Sequence, residues 1–126
     1  MALCLFIFIS SCKKDKDVVV TTTLQGTWAG TGQYGTSGGN PTYPLSITFK
    51  AGGSVEIVGN NSTGVDNATG TWQLAQDTVK ASFKYDASSA IYTLAAKFSS
   101  SSNIMTGTIG LGSATTGTGI FTVTKQ

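Results

Sequence analysis

The chain has 126 residues, with 8 Lys and Arg against 6 Asp and Glu, a net charge of +2 and no His. Every base is a lysine, and beyond Asp17 the lysines stand singly at Lys50, Lys80, Lys84, Lys97 and Lys125, so no basic cluster exists to replace counterions along a nucleic acid. Without His there is no nucleophile–imidazole pair, and with Cys4 and Cys12 as the two cysteines, both near the start, neither a Cys/His zinc site nor a disulfide is expected in the mature chain.

The first element is the apolar run Ala2 to Ile9. It is far shorter than the ~20 apolar residues a helix needs to span a bilayer, but it matches the apolar region of a signal peptide. Ile9-Ser10-Ser11-Cys12 resembles the lipobox of bacterial lipoproteins. That resemblance implies cleavage before Cys12 and lipid attachment to it, which divides the chain into a signal peptide over 1–11, a lipidated cysteine and tether over 12–23, and a domain over 24–126. Met1-Ala2-Leu3 lacks the positive charge with which such a segment normally begins, as a signal peptide cut short at its start would. The competing reading, a buried N-terminal strand, fits poorly with the abrupt charge at Lys13. Lys13-Lys14-Asp15-Lys16-Asp17 is similar to the start of lipoproteins from Bacteroidetes and implies an outer-membrane position, on the periplasmic or the cell-surface face. Read from charge alone, the same run is a solvated tether.

Val18 to Thr23 is β-prone, an extended lead-in or a short strand. From there apolar and polar residues alternate, with turn-forming clusters between. The pattern predicts strands over Gly26 to Tyr34, Leu45 to Lys50, Ser54 to Val58, Gly70 to Leu74, Thr78 to Tyr85, Ile91 to Phe98, Asn103 to Leu111 and Thr118 to Lys125. Ala51-Gly52-Gly53 has the composition of a hairpin turn, and Gly59 to Asn67 reads as a polar loop. No connection has room for a crossover helix, so the sheet is expected to be antiparallel and sequentially wound. A meander leaves two raw edges unless it closes, which predicts an all-β, eight-stranded antiparallel up-and-down barrel, with an open sandwich as the alternative.

Period-two alternation assigns an inner face. Trp28, Leu45, Ile47, Phe49, Val55, Ile57, Trp72, Leu74, Val79, Ala81, Phe83, Tyr85, Tyr92, Leu94, Ala96, Phe98, Met105, Ile109, Phe121 and Val123 are expected inside, and Lys80, Ser82, Lys84, Thr93 and Lys97 outside. Gly26, Trp28, Gly30 and Gly32 share one parity, as a sharply bent strand beside a large ring requires.

Gly26-Thr27-Trp28 returns as Gly70-Thr71-Trp72, which points to strands packed similarly at two places round the barrel. A G-x-W on the first strand of a small antiparallel barrel resembles the lipocalins and the wider calycin group, and the layout is similar to small lipocalin-like lipoproteins of Bacteroidetes. The resemblance implies that Gly26 and Trp28 form the barrel's base motif, that Trp28 covers a closed base, and that Lys125 takes the place of the basic residue packed over that Trp. The family's second conserved turn has no counterpart in this chain.

Carboxylates beyond the tether are Glu56, Asp66, Asp77 and Asp86. Glu56 falls on the outer face and Asp77 and Asp86 at turns, so the facing carboxylate pair of a glycosidase is not assembled and a non-enzymatic protein is expected. The oxygen-rich stretch Asn60 to Asn67 carries one charge and reads as a solvated turn, with no metal site and no cofactor expected. Tyr34, Tyr43, Tyr85 and Tyr92 near strand ends, together with Trp72, are the candidate ligand contacts. Two readings follow. One is a membrane-anchored barrel binding a small apolar or glycan ligand. The other is a structural or interaction lipoprotein whose filled barrel meets a protein partner through its loops.

Overall fold

A computed structural model describes residues 23–36, 39–61 and 64–126. The signal segment, Cys12 and the lead-in through residue 22 lie outside the described residues. Among those described, eight strands form a closed barrel in chain order: β1 (Gly26–Tyr34), β2 (Thr42–Phe49), β3 (Ser54–Asn61), β4 (Gly64–Ala75), β5 (Thr78–Tyr85), β6 (Ile91–Lys97), β7 (Ile104–Leu111) and β8 (Gly119–Lys125). Every neighbour pair is antiparallel, and β1 pairs with β8 from Trp28↔Lys125 to Tyr34↔Gly119, which closes the sheet and removes both edges.

β1 and β5 have the bounds read from alternation. The largest correction concerns Gly59 to Asn67, expected to be a loop. It is strand: β3 and β4 continue pairing through Gly59↔Asp66 and Asn60↔Val65 to Asn61↔Gly64. The stretch carries no apolar residue at its inward positions before Ala68, so periodicity had nothing to register. β2 likewise begins at Thr42, three residues before its first buried side chain, Leu45.

Nineteen buried apolar residues form one core, and every residue assigned inward by parity belongs to it or packs against it. Leu24 and Ala68 join it as well. Thr93 keeps its outward register but is buried, because the 112–118 connection folds over it. Its hydroxyl donates to the Gly112 carbonyl at 2.6 Å, and a Cβ on neighbouring Gly110 would stand 2.3 Å from the Ala114 carbonyl oxygen.

Odd-numbered strands run from one end of the barrel to the other and even-numbered strands return. One end, the base, therefore collects the start of β1, the β2–β3 and β4–β5 turns, and the end of β8. It is plugged. Trp28 Nε1 donates to the Leu24 carbonyl at 2.9 Å and its ring meets Phe98 edge-on at 6.1 Å, while Trp72 Nε1 donates to the Lys50 carbonyl at 2.9 Å and meets Phe49 edge-on at 5.6 Å. The two GTW tripeptides thus play parallel parts on β1 and β4. Their glycines differ: Gly26 has φ of 120°, whereas Gly70 lies so close to β5 that a Cβ would fall 1.8 Å from the Ser82 carbonyl oxygen.

Candidate functional site

The other end of the barrel, the mouth, gathers an inward-facing position near the end of each strand. By register these are Tyr34 on β1, Tyr43 on β2, Gly59 on β3, Asp66 on β4, Tyr85 on β5, Tyr92 on β6, Leu111 on β7 and Gly119 on β8. All four tyrosines of the chain therefore meet in one layer. Tyr34 and Tyr43 lie 4.7 Å apart with planes tilted by 39°. Tyr85 and Tyr92 are 5.8 Å apart and near-perpendicular at 74°, and Phe83 in the layer beneath stacks on Tyr92 at 5.9 Å. Tyr43 finds its place because Gly32 has no side chain: a Cβ there would stand 2.5 Å from the tyrosine Cζ.

Between these rings is a cleft of about 250 Å³, lined by the tyrosines with Gly59, Asp66, Ala87 and Ser88. An adjoining space of about 180 Å³ shares the tyrosines and reaches one layer deeper, to Phe83 and Ile109, which are 2 % and 7 % exposed. Below that floor the buried core begins.

Burial pushes the Tyr43 hydroxyl above its ordinary pKa, with Tyr34 adding to the effect. The same holds more strongly for Tyr85, where burial comes first, followed by the neighbouring Tyr43 and the Asp66 carboxylate. Both phenols therefore stay protonated at neutral pH and can donate hydrogen bonds. Asp66 is the one carboxylate at an inward register position among the described residues. Parity with Ala68, Gly70 and Trp72 was the signal for it, hidden by reading its segment as a loop. Of the oxygen-rich stretch Asn60 to Asn67, Asn60 and Asn67 are exposed on the outer face and do not join Asp66. Among the described residues no group of three or more His, Cys, Asp or Glu could hold a metal ion.

Other candidates fall elsewhere. Trp72 sits at the base, 8 % exposed and with its N–H occupied, so it shares no ligand with the tyrosines. Gly26, Trp28 and Lys125 come together at the base, with the Lys125 ammonium 5.4 Å from the centre of the Trp28 ring. The same ammonium donates to the Thr23 carbonyl at 2.5 Å and to the Gln25 carbonyl, pinning the segment that enters β1 across the base. Burial lowers its pKa, while the two carbonyls and the ring face favour its charge. Cys12 lies outside the described residues.

Comparison with protein-family models, with curated proteins and with solved structures finds no match.

Proposed function

We propose that this protein is a lipid-anchored, lipocalin-like binding module that holds a small organic molecule in its tyrosine-lined mouth. The observation that carries this reading is the convergence of four tyrosines from four different strands on one cleft of about 250 Å³ above a filled core. Aromatic walls with a few polar tips are the usual make-up of a small-molecule site, though this one is smaller than the ~300–1,000 Å³ of most. At ~30 Å³ for each water in the liquid, the cleft holds the volume of about eight waters. A long acyl chain or an oligosaccharide is too large; a single ring or a compact apolar head group is the right size.

The anchor rests on Ile9-Ser10-Ser11-Cys12 and the charged run after it. Because β1 starts at the base, a tether leading into Leu24 holds the base towards an outer membrane and turns the mouth away from it. A second reading, a partner-binding lipoprotein, draws support from Val65, Ile91 and Leu111, which are 53–58 % exposed around the mouth. Native mass spectrometry of protein purified from its host separates the two. A co-purifying small molecule that disappears in Tyr85→Ala is expected; repeated recovery of ligand-free protein bound to another polypeptide overturns the first reading in favour of the second.

A further inference from the structure

We propose that the mouth takes a small ring bearing a carbonyl oxygen, the ring resting on Phe83 and Ile109 and the oxygen accepting from the hydroxyls of Tyr43 and Tyr85. This rests on the reading of the mouth as a small-molecule site and specifies what enters it.

The donors come first. Tyr43 and Tyr85 are half-buried at inward positions, and both line the upper cleft and the deeper space adjoining it. Most polar groups drawn into a protein find a partner there. Elsewhere in this barrel they do: Trp28 and Trp72 donate to the Leu24 and Lys50 carbonyls, and Thr93 to that of Gly112. Among the described residues nothing bonds the hydroxyl of Tyr43 or of Tyr85, and no side-chain oxygen is both sealed from solvent and without a partner. Both hydroxyls are therefore open at the mouth.

They also neighbour one another. Of the groups whose charge acts on the Tyr85 hydroxyl, Tyr43 is foremost, ahead of Asp66, Tyr92 and Tyr34. The two are not bonded to each other, which leaves a gap that one ligand atom can bridge. A carbonyl oxygen has two lone pairs and no proton, so it accepts from two donors at once and brings no donor of its own to satisfy. Burial separates neutral acceptors from charged ones. The desolvation that keeps both phenols protonated opposes a carboxylate or phosphate at the same place.

The body follows from the floor. Phe83 and Ile109 are 2 % and 7 % exposed, and their side chains offer only carbon to a ligand in the deeper space. At about 180 Å³ that space admits a single ring. A plain hydrocarbon ring would cover the floor but take both hydroxyls out of solvent with nothing in return, which weakens binding about tenfold or more for each. A carbonyl on the ring serves both ends of the site.

The test uses the full chain and three probes: acetophenone; α-methylstyrene, its isostere with CH₂ in place of the carbonyl oxygen; and benzoate, which replaces the ketone by a charge. Binding is followed by calorimetry and by the resonances of the tyrosine rings, and the bound carbonyl by its infrared stretch. Acetophenone is expected to bind about tenfold or more tighter than α-methylstyrene, and benzoate more weakly than acetophenone. The carbonyl stretch of bound acetophenone should lie below its value in a hydrocarbon solvent, because hydrogen bonding weakens the C=O bond. The Tyr43→Phe/Tyr85→Phe double variant keeps both rings and should lower the ratio of the two affinities about tenfold. Because the probe comparison and the stretch are read on the unaltered protein, they stand even if the variant misfolds. Binding of α-methylstyrene as tight as that of acetophenone overturns the carbonyl assignment and leaves the small-molecule reading intact. A ratio unchanged in the double variant overturns Tyr43 and Tyr85 as the donors. Benzoate binding tighter than acetophenone overturns the neutral acceptor. Absence of acetophenone binding overturns the proposal, and the small-molecule reading is then decided separately by the co-purification experiment.

Discussion

Trp28 and Trp72 carry the same tripeptide and the same kind of N–H bond to a backbone carbonyl, yet replacing each by Phe should cost very different amounts. Trp28 Nε1 donates to Leu24, a residue with no exposed surface, so Trp28→Phe strands a buried acceptor, at about 1–3 kcal/mol. The smaller ring leaves a void worth about 1 kcal/mol, and the weaker π face loses ~0.5 kcal/mol of attraction to Lys125. Together these come to about 2.5–4.5 kcal/mol, a large share of the ~5–15 kcal/mol that holds a domain folded. Trp72 donates instead to the carbonyl of exposed Lys50, which also accepts from Gly53 N at 3.3 Å and can be rehydrated. Trp72→Phe then loses the void term and little else, about 1–1.5 kcal/mol. Urea denaturation measures both, and in a thermal melt each kcal/mol corresponds to about 4–8 °C for a domain of this size. If Trp72→Phe proves as costly as Trp28→Phe, the assignment of the Leu24 carbonyl as the buried, irreplaceable acceptor is wrong.

Gly70→Ala should disrupt folding, because its Cβ would fall 1.8 Å from Ser82 O and 2.7 Å from Phe83 Cα, both backbone atoms of β5, whereas Gly39→Ala, with nothing within 4 Å, should be neutral to within ~0.5 kcal/mol; circular dichroism of the two variants checks this. Alkaline pH should destabilise the barrel through Tyr43 and Tyr85: their folded pKa values are raised, the unfolded chain ionises them near about 10, and above that pH the unfolded state binds fewer protons, so stability falls as pH rises. Phenolate absorbance should accordingly show a late-titrating phase in the folded protein that is absent from the Tyr43→Phe/Tyr85→Phe double variant, whose alkaline loss of stability should be smaller. Cys12→Ala should move the protein from the membrane fraction to the soluble one; retention in the membrane would remove the lipid anchor from the proposed function.

Sequence by itself determined the all-β class, the sequential antiparallel winding and nearly the whole core, because alternation with a period of two is the direct imprint of a strand with one wet and one dry face. The same rule placed Tyr34, Tyr43, Tyr85 and Tyr92 near strand ends, each as a separate observation. It failed where inward positions hold no apolar side chain: Gly59 and Asp66 look like loop residues, and only their pairing across β3 and β4 shows that they belong to the wall. Tertiary structure decided three further things that no local pattern carries. Barrel closure brought the ends of β1, β2, β5 and β6 to one rim, which turned four scattered tyrosines into one cleft. The direction of β4 sent Trp72 to the base and Asp66 to the mouth, although six positions separate them on one strand. The fold of the 112–118 connection over β6 and β7 buried Thr93 on the face that alternation marks as wet. In each case the deciding contact joins residues distant in the chain, and alternation reports only on which face of a strand a residue stands, never on what the neighbouring strands bring to meet it.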